Sequence, residues 1–205
     1  MKLVEKTISS YMEDLRSDSP APGGGSASAL CGAQGAAMIA MVARLTISKK
    51  GLEDRHQACL ELSRMADKVV LELEKQIDED SLAYQGMAEA FRLPRHTEDE
   101  KIERKKAIEA AAYHAALVPM QTMKLCSEAL RLADSLAARY NKNCASDLGC
   151  AVEELSAGIN GAYLNVLINS GSSDRAQALL EECNRIRHEA REQADRLIAK
   201  VEEDI

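Results

Sequence analysis

In the segment from Glu53 to Arg92, apolar residues recur at Leu62, Ala66, Val69, Leu73, Ile77, Tyr84, Met87 and Phe91. The steps are three or four residues, the spacing of one helix face, except for one step of seven between Ile77 and Tyr84. The position skipped in that gap is Asp80. Asp78 and Glu79 rotate away from the face and read as ordinary solvated charges. A carboxylate on a packing face is unfavourable without partners, and desolvation raises its pKa toward the range of a proton-transfer catalyst. Two readings stand side by side: an acid–base group, or a buried aspartate satisfied by hydrogen bonds or an ion pair.

The second feature is Pro22-Gly23-Gly24-Gly25-Ser26, ahead of a stretch of small residues. Glycine loses the most backbone freedom on folding, so three in a row at a helix entrance suggest that something approaches the backbone closely. No Lys-Ser or Lys-Thr follows at P-loop spacing, and no strand precedes the run as a dinucleotide fingerprint requires. What remains is a tight loop presenting free N–H groups at a helix N-terminus, suited to an anionic or carbonyl group. A sharp corner between two closely passing helices fits the same residues. Ala29, Gly32, Ala33 and Ala36 further on read as close helix packing.

A third feature is the helix "SDLGCAVEELSAGINGAYLNVLIN", in which Gly158, Gly161, Asn165 and Asn169 fall near one face. Small residues leave room for a ligand, and amides orient one by donating and accepting together. An amide network between helices or subunits is the alternative. Asp147 reads as an N-cap or first-turn acid. His56, His96, His114 and His188 have no ligand spacing, so no metal site is expected. His188 and Glu192 share a face in a charge-dense segment and read as solvated. No cysteine has a nucleophile's neighbourhood, and Met38, Met41, Met120 and Met123 read as core.

These residues must be held by helices. Of 205 residues, 46% are hydrophobic but only 3% aromatic, with no Trp, a balance that favours helices over strands. The expected fold is all-α: a single-domain antiparallel bundle of about six to eight helices spanning 1–205. Leu3 to Leu15 predicts a short first helix, and Ser26 to Ser48 a second, ended by Lys49-Lys50-Gly51. Glu53–Arg92 is the third. Thr97 and Glu100 form a capping box for a fourth, which runs to about Tyr140 with Pro119 breaking or kinking it. Asn141 to Ser146 is a loop, and Asp147–Asn169 the next helix. Gly171-Ser172-Ser173 is a turn before a final helix from Asp174. The net charge of −7 argues against nucleic acid as a partner. The uncharged stretch from Gly25 to Ala43 reads as a buried core helix rather than a membrane span. Six cysteines without a CxxC pair, and no signal peptide, point to reduced thiols in the cytoplasm.

Together, "PAPGGGSASAL", "DEDSLAYQGMAEAFRLP" and "GAYLNVLIN" resemble the cyclodeaminase/cyclohydrolase family of folate enzymes, in order and over nearly the whole chain. The resemblance implies an all-helical subunit that forms a homodimer and binds tetrahydrofolate near the glycine loop. No cofactor beyond the folate substrate is implied. The family's acid–base aspartate falls on Asp80, within "DEDSLAY". The loop motif falls on Pro22 through Ser26, and the Gly-Ala-Tyr-x-Asn motif on Gly161, Ala162, Tyr163 and Asn165. Leu93-Pro94-Arg95 stands where the family often has Leu-Pro-Lys, and Ala27-Ser28 where Val or Ala is common after the loop serine.

The reaction expected from the resemblance is hydrolysis of 5,10-methenyltetrahydrofolate to 10-formyltetrahydrofolate. Deamination of 5-formiminotetrahydrofolate with release of ammonia is the alternative, and a non-catalytic dimerisation scaffold is a third. Pro22, Gly23, Gly24, Gly25 and Ser26 are expected to hold the substrate, with Tyr163, Asn165 and Asn169 orienting it. Lys49, Lys50 and Arg95 are candidates to meet its glutamate carboxylates.

Overall fold

The computed structural model of the chain describes residues 2–170 and 174–205. Among them are six α-helices, three short 3-10 turns and no strand. The helices are α1 (Ile8–Leu15), α2 (Gly24–Ile47), α3 (His56–Arg92), α4 (Glu98–Ala137), α5 (Ala145–Asn169) and α6 (Asp174–Glu202). The all-α bundle expected from composition is what forms. The turn expected at Gly171-Ser172-Ser173 lies outside the described residues.

Local chemistry accounts for most of the boundaries. The expected first helix splits into a 3-10 turn at Leu3–Glu5 and α1, whose N-terminus is capped by Thr7, its side chain accepting from Ser10 N–H at 3.2 Å. Helix α2 begins at Gly24, two residues earlier than the serine-led start the sequence suggested, with Gly23 as its N-cap. Beyond its end, Gly51 has φ 86°, the left-handed conformation that glycine adopts without steric penalty. The Thr97–Glu100 capping box forms as expected. Thr97 Oγ1 accepts from Glu100 N–H at 3.2 Å, and Glu100 Oε2 accepts from Thr97 N–H at 3.0 Å.

Pro119 does not break α4. A helix-interior proline leaves the carbonyl four residues back without its N–H donor. That carbonyl, on Ala115, instead accepts from Asn169 Nδ2 of α5 at 2.9 Å. A side chain from a neighbouring helix thus satisfies the group that Pro119 leaves open.

Helix α2 is laid between α3 and α5, α4 packs on both of those, and α6 closes over α4 and α5. Ile39, Leu73, Met123, Leu130, Leu148 and Leu155 are fully buried in the shared core. Close approach depends on small residues. Gly32 and Gly158 face Cys126 and each other across α2, α4 and α5, where an added Cβ would crowd its neighbours. Among the described residues α2 is the one helix long and apolar enough to cross a membrane, and half of its most apolar window is buried against the bundle.

One part of the sequence pattern needs correction. The face of α3 is buried through Leu62, Ala66, Val69, Leu73 and Ile77 as expected, but Tyr84 and Phe91 are exposed. Beyond Asp80 the buried line runs through Ala83 and Ala90. The steps average about 3.6 residues, the period of the helix itself, so the change is in what covers the helix and not in register: Ala83 packs with Ala115 and Val118 of α4.

Candidate active site

Asp80 sits on α3 opposite the first turn of α2. Its Oδ2 accepts from Ser26 N–H at 2.9 Å and from Ser26 Oγ–H at 3.1 Å. Ser26 Oγ also lies 2.9 Å from the Ile77 carbonyl, one turn earlier on α3. A helix usually takes a capping acceptor from its own N-cap side chain, but here that residue is Gly23, which has none. The carboxylate of another helix does the capping instead. The positive end of the α2 dipole supports a negative charge at this point.

The two oxygens of Asp80 differ. Oδ2 is held by Ser26, whereas Oδ1 lies over Gly25 and accepts no hydrogen bond from any described residue. A Cβ on Gly25 would stand 1.9 Å from Oδ1 and 2.4 Å from the carboxyl carbon. Glycine is therefore required there for the carboxylate to reach the helix end. Burial raises the pKa of Asp80 above the usual carboxylate value, and the two Ser26 hydrogen bonds partly offset this. The result is a half-buried carboxylate whose one free oxygen is more basic than that of a surface aspartate.

Asn165 joins this group. Its Nδ2 would be 3.2 Å from a Cβ on Gly24, and that nitrogen donates to the Gly161 carbonyl one turn earlier at 2.9 Å. Ser28 Oγ donates to the Gly24 carbonyl at 2.6 Å and lies against Gly161. Gly24 and Gly25 are in the first turn of α2, where N–H groups have no acceptor within the helix. Pro22 is buried at the loop and follows a cis peptide bond from Ala21. Gly24, Gly25, Ser26, Asp80 and Asn165 are thus brought together from three separate stretches of sequence. Ser26 as the direct partner of Asp80 had no signal in the sequence beyond its place in the loop motif.

The remaining candidates lie elsewhere. Tyr163 is two positions from Asn165, about 200° around the helix, and its hydroxyl donates to Asn184 Oδ1 on α6 at 2.7 Å. The Arg187 guanidinium covers its ring at 4.6 Å. Asn169 shares the Asn165 face one turn on, but its amide hydrogen is given to Ala115. Lys49 and Lys50 are exposed beyond the far end of α2, about 35 Å from the glycine turn at 1.5 Å per residue. Arg95 is exposed in the α3–α4 connection, where it lines a 440 Å³ surface cleft with Lys101, Arg104 and Lys105. Among the described residues no group of three His, Cys, Asp or Glu side chains converges as a metal site would require.

Comparison with known proteins points in one direction. The family model described as formiminotransferase-cyclodeaminase matches residues 7–185. A methenyltetrahydrofolate cyclohydrolase from Methylorubrum extorquens is 36% identical over 174 residues, covering 84% of each chain. A formimidoyltransferase-cyclodeaminase from Mus musculus is 30% identical over 167 residues, which is 82% of this chain but 31% of that one. The Dictyostelium discoideum protein of the same name is 33% identical over 96% of this chain and 36% of its own. The chain thus spans about a third of the length of these two larger relatives. In structure, a formiminotetrahydrofolate cyclodeaminase from Thermotoga maritima superposes with a TM-score of 0.82 over 99% of this chain and 97% of that one. At 24% identity that likeness speaks for the fold.

Proposed function

The chain belongs to the formiminotransferase-cyclodeaminase family, and on that premise we propose that it is a 5,10-methenyltetrahydrofolate cyclohydrolase with Asp80 as its acid–base group. The observation that carries the proposal is the free Oδ1 of a desolvated carboxylate beside the open N–H groups of the α2 turn. The relative matched over most of both chains, a cyclohydrolase by name, favours this reaction.

In the proposed reaction a water oxygen forms a bond to the cationic methenyl carbon while its proton passes to Asp80 Oδ1. The bond from that carbon to N5 then breaks, and Asp80 returns the proton to N5. The remaining hydroxyl loses its proton to solvent as the N10-formyl C=O forms. The sum is methenyl cation plus water giving 10-formyltetrahydrofolate and one proton. A carboxylate next to the cation also stabilises the charge that the substrate brings into the site.

Pro22, Gly23, Gly24, Gly25 and Ser26 are the proposed wall of the folate site, with Asn165 Oδ1 free to accept from the ligand. Tyr163 and Asn169 are assigned to the α5 interfaces, since their polar atoms are engaged there. Arg95 is retained as a partner for glutamate carboxylates because other cations cluster with it. Lys49 and Lys50 are the weaker candidates, at the opposite end of α2.

A homodimer fits the surface of α2. Ala37, Met41 and Leu45 are exposed at helical spacing on this most apolar of the helices. Replacing Met41 and Leu45 with Asp is expected to convert a dimer to monomer in sedimentation velocity, and a monomeric wild type would contradict that assignment. The six cysteines are free, as a reducing cytoplasm would keep them. Cyclodeaminase activity is the second reading, favoured by the names of the larger relatives. The two are separated by supplying each substrate in turn: loss of the methenyl absorbance marks the hydrolase, whereas its appearance from 5-formiminotetrahydrofolate with ammonia marks the deaminase.

A further inference from the structure

Helix α2 covers the Asp80 face of α3 in steps: Leu73 lies against Gly32, Ile77 packs with Ala29, and Asp80 meets Gly25. Because α2 begins at Gly24, this cover ends at the carboxylate, whereas α3 runs on to Arg92. Tyr84, Met87 and Phe91 follow Asp80 by four, seven and eleven residues, within about 40° of the same face. Tyr84 is 44% exposed and Phe91 54%, with Met87 half-buried between them. The chain has one phenylalanine and no tryptophan, yet that phenylalanine stands in solvent rather than in the core, where a ring contributes most to folding.

This strip ends at cations. The Arg104 guanidinium lies 5.7 Å from the Phe91 ring centroid, and its Nη2 donates to the Phe91 carbonyl at 3.1 Å. Arg104 also lines the 440 Å³ cleft with Arg95, Lys101 and Lys105, against one carboxylate, Glu109. An apolar, aromatic path thus leads from the half-buried carboxylate to a concentration of positive charge. From Asp80 to Phe91 it is about 16 Å long at 1.5 Å per residue.

We propose that this strip binds the aminobenzoyl-glutamate half of the substrate, with Tyr84 stacked on the aminobenzoyl ring and the Phe91–Arg104 end meeting the glutamate carboxylates. The proposal rests on the cyclohydrolase reading above and gives the substrate a direction in the site. The methenyl carbon is bonded to N10, and N10 carries the aminobenzoyl group. With that carbon at Asp80 Oδ1, the ring falls beside Tyr84, whose Cβ is about 6 Å from that of Asp80. Covalent bond lengths place the far glutamate carboxylate about 13 Å from N10 in an extended chain, which brings it level with Phe91 and Arg104. The pterin lies on the other side of Asp80, toward the α2 turn and Asn165. The anionic tail selects this direction, because the cations stand at one end of the strip only.

The test uses p-aminobenzoylglutamate, a fragment without pterin or reacting carbon, as an inhibitor of 5,10-methenyltetrahydrofolate hydrolysis. Competitive inhibition of wild type is expected, kept within about twofold in Tyr84→Phe and weakened about tenfold in Tyr84→Ser, with KM rising in parallel and kcat falling less. Arg95→Glu combined with Lys105→Glu should weaken the fragment to a similar extent. These positions are exposed, so melting temperatures without ligand should match that of wild type. Absent or non-competitive inhibition of an active wild type, or an unchanged KM in Tyr84→Ser, would overturn the proposal and leave the cyclohydrolase reading intact. Dissociation of a wild-type dimer by Tyr84→Ser with Phe91→Ser, seen in sedimentation velocity, would assign the strip to a second copy of the chain and overturn it as well. A wild type inactive on this substrate would overturn the reading first and this inference with it.

Discussion

Gly25 and Asp80 meet so closely that a Cβ on the glycine would stand 1.9 Å from the carboxylate Oδ1. Gly25→Ala must therefore push the carboxylate aside or spread α2 from α3. Overpacking of this kind is destabilising by about 1–3 kcal/mol. The expected outcome is a folded protein with a lower melting temperature and lost turnover, read by thermal denaturation and a substrate assay. Full activity in a folded variant would show that the contact does not position Asp80.

Asp80 also sets a pH dependence. Its pKa is raised in the fold, chiefly by burial, so the folded state binds the proton more tightly than the unfolded chain. The resulting stabilisation is complete below the unfolded-state pKa and is lost as pH rises through the folded value. Asp80→Asn cannot ionise, and its side-chain oxygen can still accept from Ser26. Relative to wild type, its melting temperature should therefore gain as pH rises from below 4 toward neutrality, 3.8 being the ordinary carboxylate value. A variant that instead loses ground toward neutral pH would mean the carboxylate is stabilised by its surroundings.

Asn169 and Pro119 are coupled through a single carbonyl. Asn169→Ala leaves the Ala115 oxygen buried without a donor, at a cost of about 1–3 kcal/mol. Pro119→Ala restores a backbone N–H that can reach the same oxygen. In a double-mutant cycle the loss from Asn169→Ala should shrink when Pro119 is also replaced. Equal losses in both backgrounds would remove the hydrogen bond from the stability of α4.

What the sequence revealed follows from what is local. Asp80 stood out because it broke a periodic apolar face, and the glycine run because three glycines seldom open a helix without reason. The effect of Pro119 on α4 was not legible, because its compensation comes from a residue fifty positions away in the chain. The Gly-Ala-Tyr-x-Asn motif joined Tyr163 to Asn165, but helix geometry turns the tyrosine toward α6. Tyr84 and Phe91 were placed on the buried face by counting threes and fours, but spacing does not say where the partner helix lies, and α4 covers Ala83 instead.

The most direct test follows the ultraviolet absorbance of 5,10-methenyltetrahydrofolate with wild-type protein, with Asp80→Asn and with buffer alone. The expected result is rapid loss of the methenyl band with wild type, and a rate lower by about 10²–10⁴-fold with the variant, the range for removal of a general acid–base group. Equal rates for a folded Asp80→Asn protein and wild type, both above buffer, would contradict the central role of Asp80. If wild type is inactive on this substrate and on 5-formiminotetrahydrofolate, the helical scaffold reading stands instead.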